Sequence, residues 1–247
     1  MENYQDIMRE FAESIKKQAE IFTKVQDELI KQALLPEKIV REIQDSFKKL
    51  PKSGLDLSKF GWYLSLNMTP AEINILGEKT ELQDIKYIDS FMVDHIQKEK
   101  DHILKLLIKR YPERKDILLT GFKCHNNKDF NASVPIFLSQ ADGICIQITN
   151  LKLYNKKDKK PEVSKFVDQL KQESIPTLLL QPLTIITSIS SDKKKRAEYK
   201  GLLNRHEVLH GISLDYGTEI NSCKSISILY FVGEILWYAV DLKKNNA

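Results

Sequence analysis

Residues 218–242 read TEINSCKSISILYFVGEILWYAVDL, and their interpretation decides the fold. Thr218 carries a side-chain oxygen suited to the unpaired N–H groups that open a helix. The run from Ser225 to Val240 is almost continuously apolar. Such a run either crosses a membrane or lies in a protein core. It contains Gly233 and Glu234 and falls short of the ~20 apolar residues that a bilayer crossing requires. Glu219 to Leu242 is therefore read as a buried helix, capped by Thr218, that the other elements must surround.

Those elements also read as helices. Ile117 to Cys124 and Ala132 to Ile148 are apolar stretches separated by the polar turn Asn126-Asn127-Lys128-Asp129, the pattern of a helical hairpin. The alternation from Ile144 to Tyr154 would also fit a strand, and the helix is taken to about Ile148. Between Glu81 and Tyr111, Ile85, Ile88, Phe91, Met92, Ile96, Ile103, Leu106 and Leu107 mark one helical face, with His95 and His102 at its edges. Thr69-Pro70-Ala71-Glu72 is a capping-box sequence, preceded by an aromatic, irregular segment from Phe60 to Asn67 and a linker at Lys52-Ser53-Gly54. Further upstream, Ile7, Phe11, Ile15, Ala19, Phe22, Val25, Leu29 and Ala33 recur at spacings of three and four, and Pro36 opens a second helix through Phe47.

Downstream of the hairpin, residues 155–162 form a lysine-rich loop, and 163–191 break into short helices and turns around Pro176 and Pro182. Ser188 to Lys195 is expected as an exposed loop, Lys200 to Gly211 as a helix stopped by Gly211, and Asp215 to Thr218 as a turn. With 42% hydrophobic residues, 29% charged residues and only 9 glycines and 8 prolines, the composition excludes a turn-dense β-sandwich. The fold class expected is all-α.

Composition also prunes function. Cys124, Cys145 and Cys223 lie far apart without CxxC spacing, so no disulfide framework or cysteine zinc site is indicated. His125, beside Cys124, is read as a packing residue. The N-terminal Met1 to Asp6 has the character of no secretory signal, which predicts a cytoplasmic protein. No Walker A, GxGxxG or GxSxG pattern occurs, which removes support for P-loop hydrolysis, classical dinucleotide binding and nucleophile-elbow esterase chemistry. Charge is asymmetric: residues 1–120 hold 20 Lys+Arg against 21 Asp+Glu, whereas residues 121–247 hold 18 against 13. The excess concentrates in Lys156-Lys157-Asp158-Lys159-Lys160 and in Lys193-Lys194-Lys195-Arg196, patches that suit a phosphate backbone and equally suit a solvated loop.

The chemistry-bearing sequence is Asn204-Arg205-His206-Glu207-Val208-Leu209-His210-Gly211, which satisfies two patterns at once. The first is His-Glu-x-x-His, placing His206 and His210 one helical turn apart with Glu207 as a water-activating base. The longer metzincin signature fails, because residue 213 is Ser and residue 216 is Tyr. The best third zinc ligand is Glu234, a carboxylate on the apolar final helix.

The second pattern is Arg-x4-His, from Arg205 to His210. In its setting, from Asn204 to Ser227, it resembles the C-terminal helix-turn-helix of HEPN-type bacterial proteins, in which this arginine and histidine form the ribonuclease signature. Tyr111-Pro-Glu-Arg114, Phe122-Lys-Cys-His125 and Ser133 to Ile144 resemble a block found in bacterial proteins with the same ending. The resemblance spans residues 111–148 and 200–240; residues 1–110 match nothing. It implies a helical bundle of HEPN type at 111–247, with an additional N-terminal helical region at 1–110. It further implies a homodimer that cleaves RNA without a metal or other cofactor, as a toxin or anti-phage effector with an antitoxin or other defence-system protein as partner and no membrane.

By the same resemblance Arg205 and His210 are the catalytic residues. A guanidinium stabilises charge developing on a scissile phosphate, and an imidazole moves the 2′-hydroxyl or leaving-group proton. Asn204, His206, Asp215 and Tyr216 are supporting candidates, and Lys193, Lys194, Lys195 and Arg196 are the RNA-binding candidates. Two alternatives stand beside this reading. One is a zinc metallopeptidase built on 206–210; the other is a non-catalytic helical adaptor or RNA-binding module in which the basic runs matter and Arg205 does not.

Overall fold

The computed structural model describes residues 51–157, 160–170, 179–191, 199 and 202–245. The amphipathic stripe from Ile7 to Ala33 and the helix opened by Pro36 lie outside the described residues. The chain divides into a unit at 1–48 and a unit at 49–247, and all the described residues belong to the second.

That unit is all-α, with a single two-residue β-ladder among the described residues. Residues 51–59 are helical, so the linker expected at Lys52-Ser53-Gly54 is instead helix. Leu57 and Ser58 are wholly buried there, which holds the segment against the core rather than in solvent. Gly61 ends it with φ +84, in the left-handed region that favours glycine. The aromatic stretch after it is irregular yet buried. Trp62 donates to Asp89 at 2.7 Å, and the Tyr63 hydroxyl lies 3.2 Å from Thr187 Oγ1.

Helix α1 (Pro70–Glu81) begins at a complete capping box between Thr69 and Glu72. Helix α2 (Ile85–Arg110) starts at Asp84, whose carboxylate accepts from Tyr87 N, and buries Ile88, Met92, Ile96, Ile103 and Leu107 along one side. After a 3-10 turn at Pro112–Arg114, α3 (Lys115–Asn126) and α4 (Phe130–Thr149) form the expected hairpin. Asn150, at φ 61, ends α4 in the left-handed conformation. The lysine-rich loop contains a small antiparallel ladder of β1 (Lys156–Lys157) and β2 (Lys160–Pro161). Short turns come next, α5 (Ser164–Val167) and a 3-10 turn at Gln181–Thr184, and then α6 (Arg205–Leu209).

The final apolar run forms α7 (Glu219–Tyr230), a π-helical segment (Phe231–Leu236) and α8 (Trp237–Asn245). Thr218 caps α7 by accepting from Asn221 N. Among the described residues, Glu219–Asp241 is the one helical run long and apolar enough to cross a bilayer, and 94% of its most apolar 18-residue window is buried within the protein. It lies against α2 on one flank and α4 on the other. Because α2 needs α7 to cover its apolar side, residues 85–110 belong to the same compact unit as residues 111–247. The boundary expected at 110/111 falls inside that unit, which begins at Lys49.

Two polar devices cross this core. His125 Nδ1 lies 2.8 Å from Ser222 Oγ, which is 2.7 Å from Ser133 Oγ, and His125 Nε2 is 3.1 Å from Gln97 Nε2. The imidazole thus ties together α2, α3, α4 and α7, and burial holds its pKa down to about 4, so it stays neutral. The packing role read for it stands, with hydrogen bonding added.

The second device accompanies the π segment. A Cβ at Gly233 would fall 2.4 Å from Leu107 Cδ2, so only glycine lets α2 approach this closely. Gly233 O accepts from the Tyr111 hydroxyl at 2.9 Å and from Arg110 Nη1 at 3.3 Å. Arg110 also pairs with Glu234 at 2.8 Å and lies 3.8 Å over the Trp237 ring. Burial pushes the Glu234 carboxyl up to about 7, against the lowering pull of Arg110.

A carboxyl raised on folding keeps its stabilising contribution below its unfolded pKa and loses it as pH climbs through about 7. Arg110→Met removes the counter-charge that pairs with Glu234. The variant is expected to lose about 2 kcal/mol more at about pH 8.5, where the orphaned carboxyl is held protonated at a cost that rises with pH, than near pH 5.5, where it is neutral with or without Arg110. Urea unfolding at about pH 5.5 and about pH 8.5 measures the difference; an equal loss at both would contradict the pairing.

Candidate functional site

The 204–218 segment is built outward from Asn204. This residue has extended backbone, φ −137 and ψ 124, and its Oδ1 accepts from His206 N and Glu207 N. A residue in this conformation cannot lie inside a helix, so α6 starts at Arg205 instead of the expected Lys200. Asn204 Nδ2 donates to Ser188 O at 2.8 Å, to Ser191 O at 2.9 Å and to Ser191 Oγ at 2.9 Å. These bonds draw 188–191 inward. Ser188, Ile189 and Ser191 are buried, contrary to the exposed loop expected from Ser188 onward. Asn204, expected as a supporting site residue, thus has all its hydrogen-bonding capacity spent on architecture.

The other end of α6 closes by a Schellman arrangement. Ile212 N bonds to Glu207 O at 2.8 Å and Gly211 N to Val208 O at 3.2 Å, with Gly211 at φ +66. Gly211 stops the helix as expected, after only five residues.

On this short element Arg205 and His206 line one cavity of about 220 Å³ with Tyr154, Lys156, Ser190 and Ser191. Arg205 N donates to Ile189 O at 3.0 Å, which fixes the backbone from which the guanidinium departs. That guanidinium lies 5.4 Å over the Tyr154 ring, and Nη2 is 3.9 Å from Asp142 of α4. Its Nε is buried with no hydrogen-bond partner. The Tyr154 hydroxyl is likewise buried and unbonded, and burial pushes its pKa well above the usual phenol value, so it remains a neutral donor.

His210, the C-cap of α6, is exposed, and its ring centroid lies 4.3 Å from that of His206. At about 100° per residue, positions five apart diverge by about 140°, whereas positions four apart nearly eclipse. His206 is therefore the link between the arginine's cavity and His210, a more central place than the supporting one expected for it.

The remaining candidates are accounted for locally. The Tyr216 hydroxyl donates to Asn131 O at 2.9 Å. That carbonyl is the one whose i+4 partner is Pro135, which has no N–H to offer, so Tyr216 supplies the bond that the proline removes from α4. Asp215 accepts from Ser213 Oγ at 3.0 Å within an exposed turn. Each of these bonds is local to the turn and its contact with α4, and neither residue lines the cavity that Arg205 and His206 share. Lys193, Lys194, Lys195 and Arg196 lie outside the described residues.

Zinc chemistry finds no third ligand in Glu234, which is buried in the ion pair with Arg110. Among the described residues no group of three or more His, Cys, Asp or Glu side chains comes together to hold a metal.

The sequence places Lys156 only in a basic run that suits a phosphate backbone or a solvated loop, and it marks Tyr154 for no role at the site. Their signals were visible, a basic run and an aromatic residue closing an apolar alternation, but nothing in the sequence connects them to Arg205. Comparison with family models, with curated proteins and with solved structures finds no match to this chain.

Asn204→Ala is expected to destabilise the protein by about 2–3 kcal/mol, the loss of a helix cap together with buried carbonyls left unbonded. Urea denaturation reads this directly, and a variant as stable as wild type would contradict the anchoring role.

Proposed function

We propose that the chain is a metal-independent endoribonuclease of HEPN type, acting in the cytoplasm as a homodimer. As a toxin or anti-phage effector it would be restrained by an antitoxin or another defence-system protein. The observation that carries the reading is the seating of Arg205 beside His206. Arg205, a cation whose buried Nε has no hydrogen-bond partner, lines a cavity with Lys156 and with His206, whose ring neighbours that of His210.

The arrangement supplies the groups that RNA cleavage by internal transfer needs. One imidazole takes the 2′-hydroxyl proton, and the 2′-oxygen attacks phosphorus. Negative charge then grows on the non-bridging oxygens, where the Arg205 guanidinium can offer two parallel N–H bonds. The P–O5′ bond breaks, and the departing oxygen receives a proton from an imidazolium. The balance closes with a 2′,3′-cyclic phosphate on one fragment, a 5′-hydroxyl on the other and the two imidazoles exchanged in protonation.

His210→Ala is expected to lower cleavage of total cellular RNA by about 100-fold or more, the scale of a lost general acid–base group, while leaving thermal unfolding unchanged. Wild-type activity is expected to persist in EDTA. Equal activity in the His210→Ala protein, or no RNA cleavage by wild type, would overturn the proposal.

A further inference from the structure

The cavity beside Arg205 is lined by two cationic residues, and the second of them comes from a distant part of the chain. Lys156 opens the β1–β2 hairpin, where the residue is half-buried with its Nζ buried, and it lines the cavity with Arg205, His206 and Ser191. Among the described residues no Asp or Glu lines it; Asp142, whose carboxylate approaches the arginine, is 3.9 Å from Nη2. Two donors, Arg205 Nε and the Tyr154 hydroxyl, are buried without an acceptor. Leaving such a group unbonded costs about 1–3 kcal/mol, a cost that an anionic ligand with several acceptor oxygens would relieve.

The hairpin register points the same way. Lys156 is paired with Pro161, and Lys157 with Lys160. Successive strand residues point to opposite faces, so Lys156 faces the cavity while Lys157 and Lys160 share the outer face. Burial agrees: Pro161 is buried, whereas Lys157 and Lys160 are exposed. Like charges directly opposite each other in a ladder are destabilising, and the fold nevertheless holds this pair together. A polyanion lying across the hairpin would turn that repulsion into attraction.

We propose that the basic hairpin is the arm that positions RNA in the cleft, Lys156 holding a phosphate beside Arg205 and the opposed Lys157–Lys160 pair holding phosphates of the same strand further along. The assignment rests on the ribonuclease reading. Of the two basic runs that suit a phosphate backbone, it takes the one that borders the site. The three lysines are positioning residues, because each meets the phosphate chain and not the reacting proton.

The test measures binding of a fluorescent single-stranded RNA by full-length protein carrying His210→Ala, so that the probe survives, across a series of salt concentrations. The same protein with Lys156→Gln, Lys157→Gln and Lys160→Gln is compared, and cleavage by wild type is followed in parallel. Each lost phosphate contact lowers the slope of log K against log salt by about 0.7 on a single strand, so the triple variant is expected to lose about 2. The corresponding three Lys→Arg changes are expected to keep the slope, which a merely folding-related loss would not. If wild type cleaves RNA and the glutamine variant keeps the full slope, the hairpin assignment is overturned and the nuclease stands. A loss of slope in the arginine variant also overturns it. If wild type neither binds nor cleaves RNA, both fall together.

Discussion

Leu107 of α2 packs onto Gly233 at a distance that no side chain would permit, and the rest of the unit is arranged around that contact. The central helix there takes six residues of π conformation, a widening that often marks a helix accommodating a special local demand. Here the demand is the docking of the α2 C-terminus, with Tyr111 and Arg110 both bonding to Gly233 O. Once α2 is fixed on one flank, α4 occupies the other, and α4 also anchors two turns of the chain that follows it. Asp142 accepts from Leu153 N at 2.9 Å, which turns the chain toward the hairpin, and its other oxygen approaches Arg205. Asn131 O receives Tyr216, which turns the chain toward α7. A Cβ at Gly217 would lie only 1.8 Å from Asn131 Oδ1, so that corner is tightly shaped as well. The short helix bearing Arg205, His206 and His210 is suspended between these two attachments to α4.

Around α6 the polar groups differ in how far the protein itself satisfies them. Asn204, His125 and Tyr216 have their hydrogen bonds made within the protein and serve as framework. Arg205 Nε and Tyr154 Oη do not, and both residues line the same cavity. Buried donors without acceptors are rare enough that their coincidence at one cavity gives the anion-binding reading its physical basis.

Most of the helical layout was legible because the periodic apolar faces of α2, α3, α4 and α7 are long, and because Thr69, Thr218 and Gly211 are local signals that act through their own neighbours. The failures share a cause. Lys52–Gly54 looks like a linker until Leu57 and Ser58 are seen buried; Ser188–Ser191 looks exposed until Asn204 is seen bonding to it; the bond of Tyr216 to α4 is invisible until Pro135 is seen to leave a carbonyl open. Each depends on a partner that the sequence places far away. The motif itself was legible at Arg205 and His210, whereas the linking position of His206 depends on how short α6 is, and Lys156 on where the hairpin returns. The π segment had no sequence signal beyond a glycine in an apolar run.

If these imidazoles and this guanidinium cleave RNA by internal transfer without a metal, the ends of the RNA fragments carry the record of that step. A single-site RNA substrate digested in EDTA and examined by mass spectrometry is predicted to yield a 2′,3′-cyclic phosphate, or the monoester formed by its opening, on one fragment and a 5′-hydroxyl on the other. Fragments ending in a 3′-hydroxyl and a 5′-phosphate, or an activity abolished by EDTA, would contradict it.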